Sequence, residues 1–405
     1  MPRWAKVLVG SGVAVMVLVP TNWLIANSIA TSTYNDALAS VRAAGFSTDL
    51  RELAPPPISD DRNAAMLFAA AFPMHPDPDE DDPALKNAID GRFSDLTAED
   101  KASVRKLLEK SGDLFAKVRS GRRLGSCRYS HDYSKGLQTE LPELNDHMLA
   151  TVRLLEIRAQ SEAEAGRADE ARESVRDILA LAEGYRRVPM LIAQLIRLAV
   201  LEEARAAIDK CVNADTSEAD LRAWLDVAPG PETVGDGVDL GYQGELAGVA
   251  QIADRPMEQV KSEGKELGFL ASPYFKITGA RYLRTLTRMI QASRKPYLEA
   301  RRETRAMLEE LQEKKSVLDL YSVLLVPWLS KALDQQMRFR ASMAVTRAGL
   351  EAELRRAATG RYPETIDAID PFTGKPLPFG GNTITTAGIP DKPEDEKPAW
   401  RLRKK

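Results

Sequence analysis

Cysteine and histidine are nearly missing from this chain: its 405 residues include two Cys and three His. Cys127 and Cys211 have neither the CxxC spacing of a redox pair nor that of a zinc site. Sequence does not supply their separation in space, so the default reading is two unrelated buried thiols rather than a disulfide. Aromatic residues make up only 6%, which argues against the stacking platforms of base-binding modules. An excess of charge is also missing. With 56 Lys and Arg against 59 Asp and Glu the net charge is −3, so no global field draws the chain to nucleic acid, and no nucleic-acid partner is expected. GxSxG, HExxH, a phosphate loop and zinc patterns are all absent from the sequence. Catalytic residues are therefore unknown, and no cofactor or metal is expected.

Long apolar runs are rare too, and the main one is at the N-terminus. Arg3 and Lys6 precede Val7–Val19, an uncharged apolar stretch of 13 residues, and Ser28-Ile29-Ala30 follows as a small-x-small site. This is the composition of an export signal peptide. Counted from Val7 to Ala26 the stretch has 20 residues, the ~20 that a transmembrane helix needs. Both readings keep the basic residues inside and export the rest. The expected location is the cell envelope: membrane-anchored facing the periplasm or outside, or periplasmic if the signal is cleaved. A second apolar run, Leu318–Leu329, is too short to span and contains Asp319 and Pro327. It predicts a buried core helix.

What remains is ordinary for a globular protein, 44% hydrophobic and 28% charged, and its patterning is helical. The most continuous stretch is Leu141–Asn213. Leu144, Met148, Val152, Leu155 and Ala159 recur three or four apart, and Ala171, Val175, Ile178 and Leu179 do the same. Gly166 permits the turn between these two helices, and Asp169 is a candidate cap for the second. A third, more apolar helix runs from Met190 to Cys211. Elsewhere the pattern predicts a short helix ending at Gly45 and a capped helix over Asp60–Phe72. The acidic loop 75–83 then precedes one amphipathic helix from Ser94 onward. Proline and glycine break the chain at 264–273, Pro296 starts or kinks a helix, and a last helix covers Lys331–Ala358. The basic residues of 281–305 alternate with or precede glutamates, which describes a helix laced with ion pairs.

The fold class is therefore mainly α: an irregular helical array or bundle. Segmented along the sequence, 1–30 is a signal peptide or N-terminal membrane anchor and 31–137 holds helices with proline-rich and acidic loops. Residues 138–360 form the main helical domain, and 361–405 is a turn-rich, β-prone extension with a charged tail. Three residues stand out as site candidates. His131 and His147 each have an aspartate as neighbour (Asp132 and Asp146), and Glu245 lies among small residues on a glycine-rich helix.

Three resemblances can be drawn. The approach Cys127–Leu144, the paired helices through Ile208 and the ending GRYPETIDAI…DPFTGKPLPF resemble a group of exported, uncharacterised helical proteins of planctomycete-type bacteria. That resemblance implies a helical fold and no known activity. The same ending, with Tyr362-Pro363 and Asp370-Pro371, is similar to the C-terminal region of type II secretion pseudopilins. The pseudopilin processing site before the apolar helix is lacking, and no calcium ligands are carried over. Leu154–Glu183 resembles one tetratricopeptide-type hairpin, without a 34-residue period elsewhere. The function expected is that of a non-enzymatic helical scaffold or protein-interaction protein of the envelope, with the membrane and a protein as partners. The alternatives are a secretion- or pilus-associated component, or an enzyme whose site is dispersed over helices.

Overall fold

A computed structural model describes residues 3–74, 83–141, 148–254, 268–314, 316–389 and 397–403. Its helices, numbered in chain order, are α1 (Arg3–Ala43), α2 (Ala64–Ala71), α3 (Pro83–Asp90), α4 (Ala98–Lys110) and α5 (Gly112–Leu124). They continue as α6 (Met148–Glu164), α7 (Ala168–Glu183), α8 (Leu191–Cys211), α9 (Glu218–Val227) and α10 (Gly237–Asp254). The last are α11 (Gly268–Ser293), α12 (Tyr297–Lys314) and α13 (Leu320–Thr359). The mainly α expectation is met. The chain forms two compact units from interleaved segments. Met1–Leu53, Tyr133–Thr139 and Tyr242–Lys331 make one, and Ala54–Asp132, Glu140–Gly241 and Ala332–Lys405 make the other. Residues 138–360 are thus shared between the two.

In the first unit α1 packs along α11. Ala30, Tyr34, Ala37, Leu38 and Val41, spaced three or four apart, are buried and form the inner stripe. Tyr34 donates its hydroxyl to the Ala250 carbonyl at 2.6 Å, and Gly45, at φ +81°, lets the chain leave the helix. Pro273, expected to lie in a break, lies inside α11 instead, and Pro20 lies inside α1. Proline removes one rung and restricts its predecessor, a local cost that the rest of a long helix can carry. Helix α12 starts directly after Pro296, as predicted. Its exposed side shows the expected ion pairs, including Arg288–Glu310 at 3.5 Å and Lys295–Glu299 at 3.2 Å. Among the described residues no helix is long and apolar enough to cross a membrane. Within Val7–Ala26 the side chains of residues 7–17 and 19 lie outside that description.

In the second unit α6 and α7 form the predicted hairpin, turned at Gly166 with φ +75°, and α8 packs against both. Val152, Leu155, Val175, Ile178, Val200 and Ile208 are completely buried between them. Asp169 does not cap α7. That place falls to Arg167, which makes no side-chain cap bond, and Asp169 sits in the first turn, where its charge meets the helix dipole. The helix expected from Ser94 is two, α4 and α5, because Ser111 leaves helical geometry at φ −85°, ψ 6°. Thr97 caps α4 by accepting the Asp100 N–H. Asn63, not the acidic turn Asp60–Arg62, caps α2. The acidic loop lies outside the described residues over 75–82.

Helix α13 is continuous from Leu320 through Pro327 to Thr359. In the predicted buried core helix Leu318–Leu329, Ser322, Val326 and Leu329 are buried, while Trp328 is 69% and Val323 38% exposed. An apolar run reads as core in a sequence even where single residues of it face out. The C-terminal extension is a three-stranded antiparallel meander of β1 (Phe379–Gly380), β2 (Thr383–Thr385) and β3 (Ala399–Arg401). Asp370, fully buried, organises the approach: its carboxylate accepts the Phe372 and Ala387 N–H groups at 2.9 and 2.7 Å. Trp400 is 1% exposed and meets α13 at Gly349.

Candidate functional site

Two of the three sequence candidates belong to different units. Glu245 belongs to the first unit and His131 to the second, and His147 lies outside the described residues. Glu245 is half-buried on α10. Burial pushes the Tyr282 phenol above its ordinary range, and the Glu245 charge adds to that push. His131 stacks on Tyr129 at 6.0 Å between ring centroids, and Tyr129 stacks on Tyr185 at 5.2 Å. The inner two rings of this stack are buried, so the histidine ends an aromatic column that pins the loop after α5 onto the end of α7. Among the described residues no group of three or more His, Cys, Asp or Glu could hold a metal ion. Cys127 and Cys211 are both free thiols.

The most pronounced concentration of chemistry is a cleft of about 510 Å³ in the second unit. Five arginines line it: Arg105 from α4, Arg119 and Arg123 from α5, Arg158 from α6, and Arg167 from the turn after α6. Arg119 and Arg123 are four residues apart and share one helix face, a like-charge arrangement that an isolated helix disfavours. Phe115 supplies an apolar wall, and the Arg158 guanidinium lies over its ring at 4.7 Å. Only two carboxylates line the same space, Glu109 and Glu162.

Ion pairs account for three of the five cations. Arg105 reaches Glu164 at 3.1 Å, and Arg167 pairs closely with Glu162. Arg119 donates through Nη1 to Glu170 at 3.1 Å and through Nε to Asp177 at 3.2 Å. Arg158 has only a 3.8 Å approach to Glu170, the carboxylate that Arg119 already uses. Burial, with the neighbouring Arg119 charge, lowers the Arg158 pKa from its ordinary value. Arg123 is exposed and has no ion-pair partner among the described residues.

Behind the cleft sits a buried ionic cluster. Asp177 on α7 is fully buried between two α5 arginines. Arg122 Nε lies 2.8 Å from its second oxygen, an ionic contact whose direction misses hydrogen-bonding geometry. Burial pushes the Asp177 carboxyl up, and the two guanidiniums oppose that push. Arg122 also pairs with Glu173 of α7. The cluster fixes α5 against α7, and with it the direction in which Arg119 and Arg123 point.

Sequence reasoning missed this site. The only signal was the basic run around Arg119–Arg123; Arg158 and Arg167 are separated from it by more than thirty residues, and proximity in space follows from helix packing alone. No protein-family model, curated protein or solved structure matches the chain.

Proposed function

We propose that this protein is a non-enzymatic helical scaffold of the cell envelope, held at the membrane by α1 and engaging a protein partner. One observation carries the reading. Leu18, Ile25 and Ile29, seven and four residues apart and thus on one face of α1, are 54–59% exposed. The buried stripe Ala30, Tyr34, Ala37 and Val41 falls on another face. Leu24, 60% exposed, widens the outer apolar surface. A helix apolar on more than one face calls for a second apolar surrounding besides its own core, and a bilayer supplies one. The basic start at Arg3 and Lys6 and the apolar stretch Val7–Ala26 fit the same reading.

A second reading, a secretion- or pilus-associated component, draws on the antiparallel meander packed at Trp400 against Gly349 of the last helix. Membrane fractionation followed by co-purification and mass spectrometry of the mature N-terminus tests both. The first expects the chain in the membrane fraction, retaining Val7–Ala26, together with a protein partner. Recovery of a soluble, partner-free protein beginning at Thr31 would sink it. Co-purified subunits of a secretion assembly would favour the second.

A further inference from the structure

The arginine cleft has a charge balance that its own neighbours do not complete. Five guanidiniums against Glu109 and Glu162 leave three positive charges on the lining (5 − 2). Carboxylates outside the cleft, Glu164, Glu170 and Asp177, reduce the excess at Arg105 and Arg119. Arg158 has only the 3.8 Å approach to Glu170 and the charges of Glu162 and Asp177 nearby, and Arg123 has no ion-pair partner among the described residues. The Nη2 of Arg119 is buried without a hydrogen-bond partner, which leaves a guanidinium donor unspent beside Arg158. A desolvated cation next to a second cation is unfavourable unless an anion joins them. A single carboxylate brings one charge to the two least-paired guanidiniums, Arg158 and Arg123. A phosphomonoester, with a charge of about −1.5 to −2 at neutral pH and three acceptor oxygens, offsets both. Guanidinium forks match such oxygens in pairs.

The rest of the lining suits the organic part of such a molecule. Leu108, half-buried, presents apolar surface in front of the buried Phe115, and about 510 Å³ is within the ~300–1,000 Å³ range of small-molecule sites. We propose that the cleft between α4, α5 and α6 binds an organic phosphomonoester, its phosphate held by Arg119, Arg123 and Arg158 and its apolar body against Leu108. The phosphate can belong to a free metabolite or to a lipid headgroup. This site does not depend on the membrane reading of α1.

Titration calorimetry on the full chain in detergent tests the assignment, with phenyl phosphate as the free monoester and benzoate as the monocarboxylate of similar body. Phenyl phosphate is expected to bind at least tenfold more tightly than benzoate. Arg158→Gln and Arg123→Gln are each expected to weaken phenyl phosphate about tenfold, the value of one charge-assisted hydrogen bond. Arg222→Gln, at an exposed arginine on α9 paired with Glu218, is expected to leave binding unchanged. Arg123 is exposed, so its variant keeps the test meaningful should Arg158→Gln fold poorly. Phosphatidylcholine vesicles with and without phosphatidic acid separate the sources. Arg123-dependent binding to the phosphatidic acid vesicles assigns the lipid headgroup, and binding of phenyl phosphate alone assigns the free monoester. Equal affinity for benzoate and phenyl phosphate, or unchanged phenyl phosphate binding in Arg123→Gln, overturns the proposal, as does absence of binding to both phenyl phosphate and the vesicles.

Discussion

Lys210 Nζ lies 2.7 Å from Glu156 Oε1 inside the second unit, yet the ion pair does not keep this carboxyl acidic. Glu156 is 1% exposed, and burial pushes it up to about 7 against the opposing charge of Lys210. Glu203 raises it further through its charge and a shared hydrogen bond. Desolvation wins here because Lys210 offers one ammonium to a carboxyl that has left water and faces a second carboxyl.

A pH dependence of stability follows from Glu156. Its folded value of about 7 lies above the ordinary 4.5. The folded protein therefore holds a proton that the unfolded chain releases, and the contribution is fully present below pH 4.5. It is lost as pH rises through about 7. Relative to Glu156→Gln, the wild type should lose on the order of 2 kcal/mol between pH 4.5 and pH 8. Urea unfolding of both proteins at the two pH values measures this; a difference that stays constant with pH would sink it.

Asp177 holds two helices through opposite charges. Asp177→Asn keeps the volume and leaves Arg119 and Arg122 without their shared anion, so it should cost about 3 kcal/mol. Chemical denaturation is the measurement, with Asp226→Asn, at an exposed position, as the unchanged control. A loss as small as that of the control would mean that Asp177 contributes nothing to holding α5 against α7.

Gly349 is required by contact rather than by backbone freedom. A Cβ there would come within 2.3 Å of the Trp400 ring. Gly349→Ala should therefore push the indole off α13 and cost about 1–3 kcal/mol. Trp400 emission should shift to the red and the segment after Gly360 should become more sensitive to protease. Wild-type emission and digestion would contradict the packing described.

The two thiols should differ sharply. Cys211 is buried, and burial with the nearby Glu156 charge pushes its thiol well above the ordinary range. Cys127 is half-buried. Under native conditions an aromatic disulfide reagent should consume one thiol promptly, and both after unfolding in denaturant. Two rapid equivalents from the native protein, or none from the unfolded one, would contradict this.

Local chemistry made much of the fold legible. Three- and four-residue spacing located α6, α7 and α8, Gly166 located the turn between the first two, and Pro296 the start of α12. These are signals that neighbouring residues exchange within one or two turns. Pro273 was misread as part of a break, because a lost rung weighs little against a helix held along its length by packing. Ser111, with no strong signal of its own, broke a helix that pattern alone would have continued.

The sequence by itself determined helical content, hairpin order and the apolar N-terminal stretch, since each depends on residues a few positions apart. Only the tertiary structure decided how interleaved segments sort into two units, which side of α13 faces out, and where five scattered arginines meet. Those outcomes depend on which helix faces pack together, and periodicity marks a face without naming its partner. The same holds for Glu156: its glutamate was always visible, and its altered acidity exists only because packing takes the carboxyl out of water, with Glu203 adding to the rise and Lys210 opposing it.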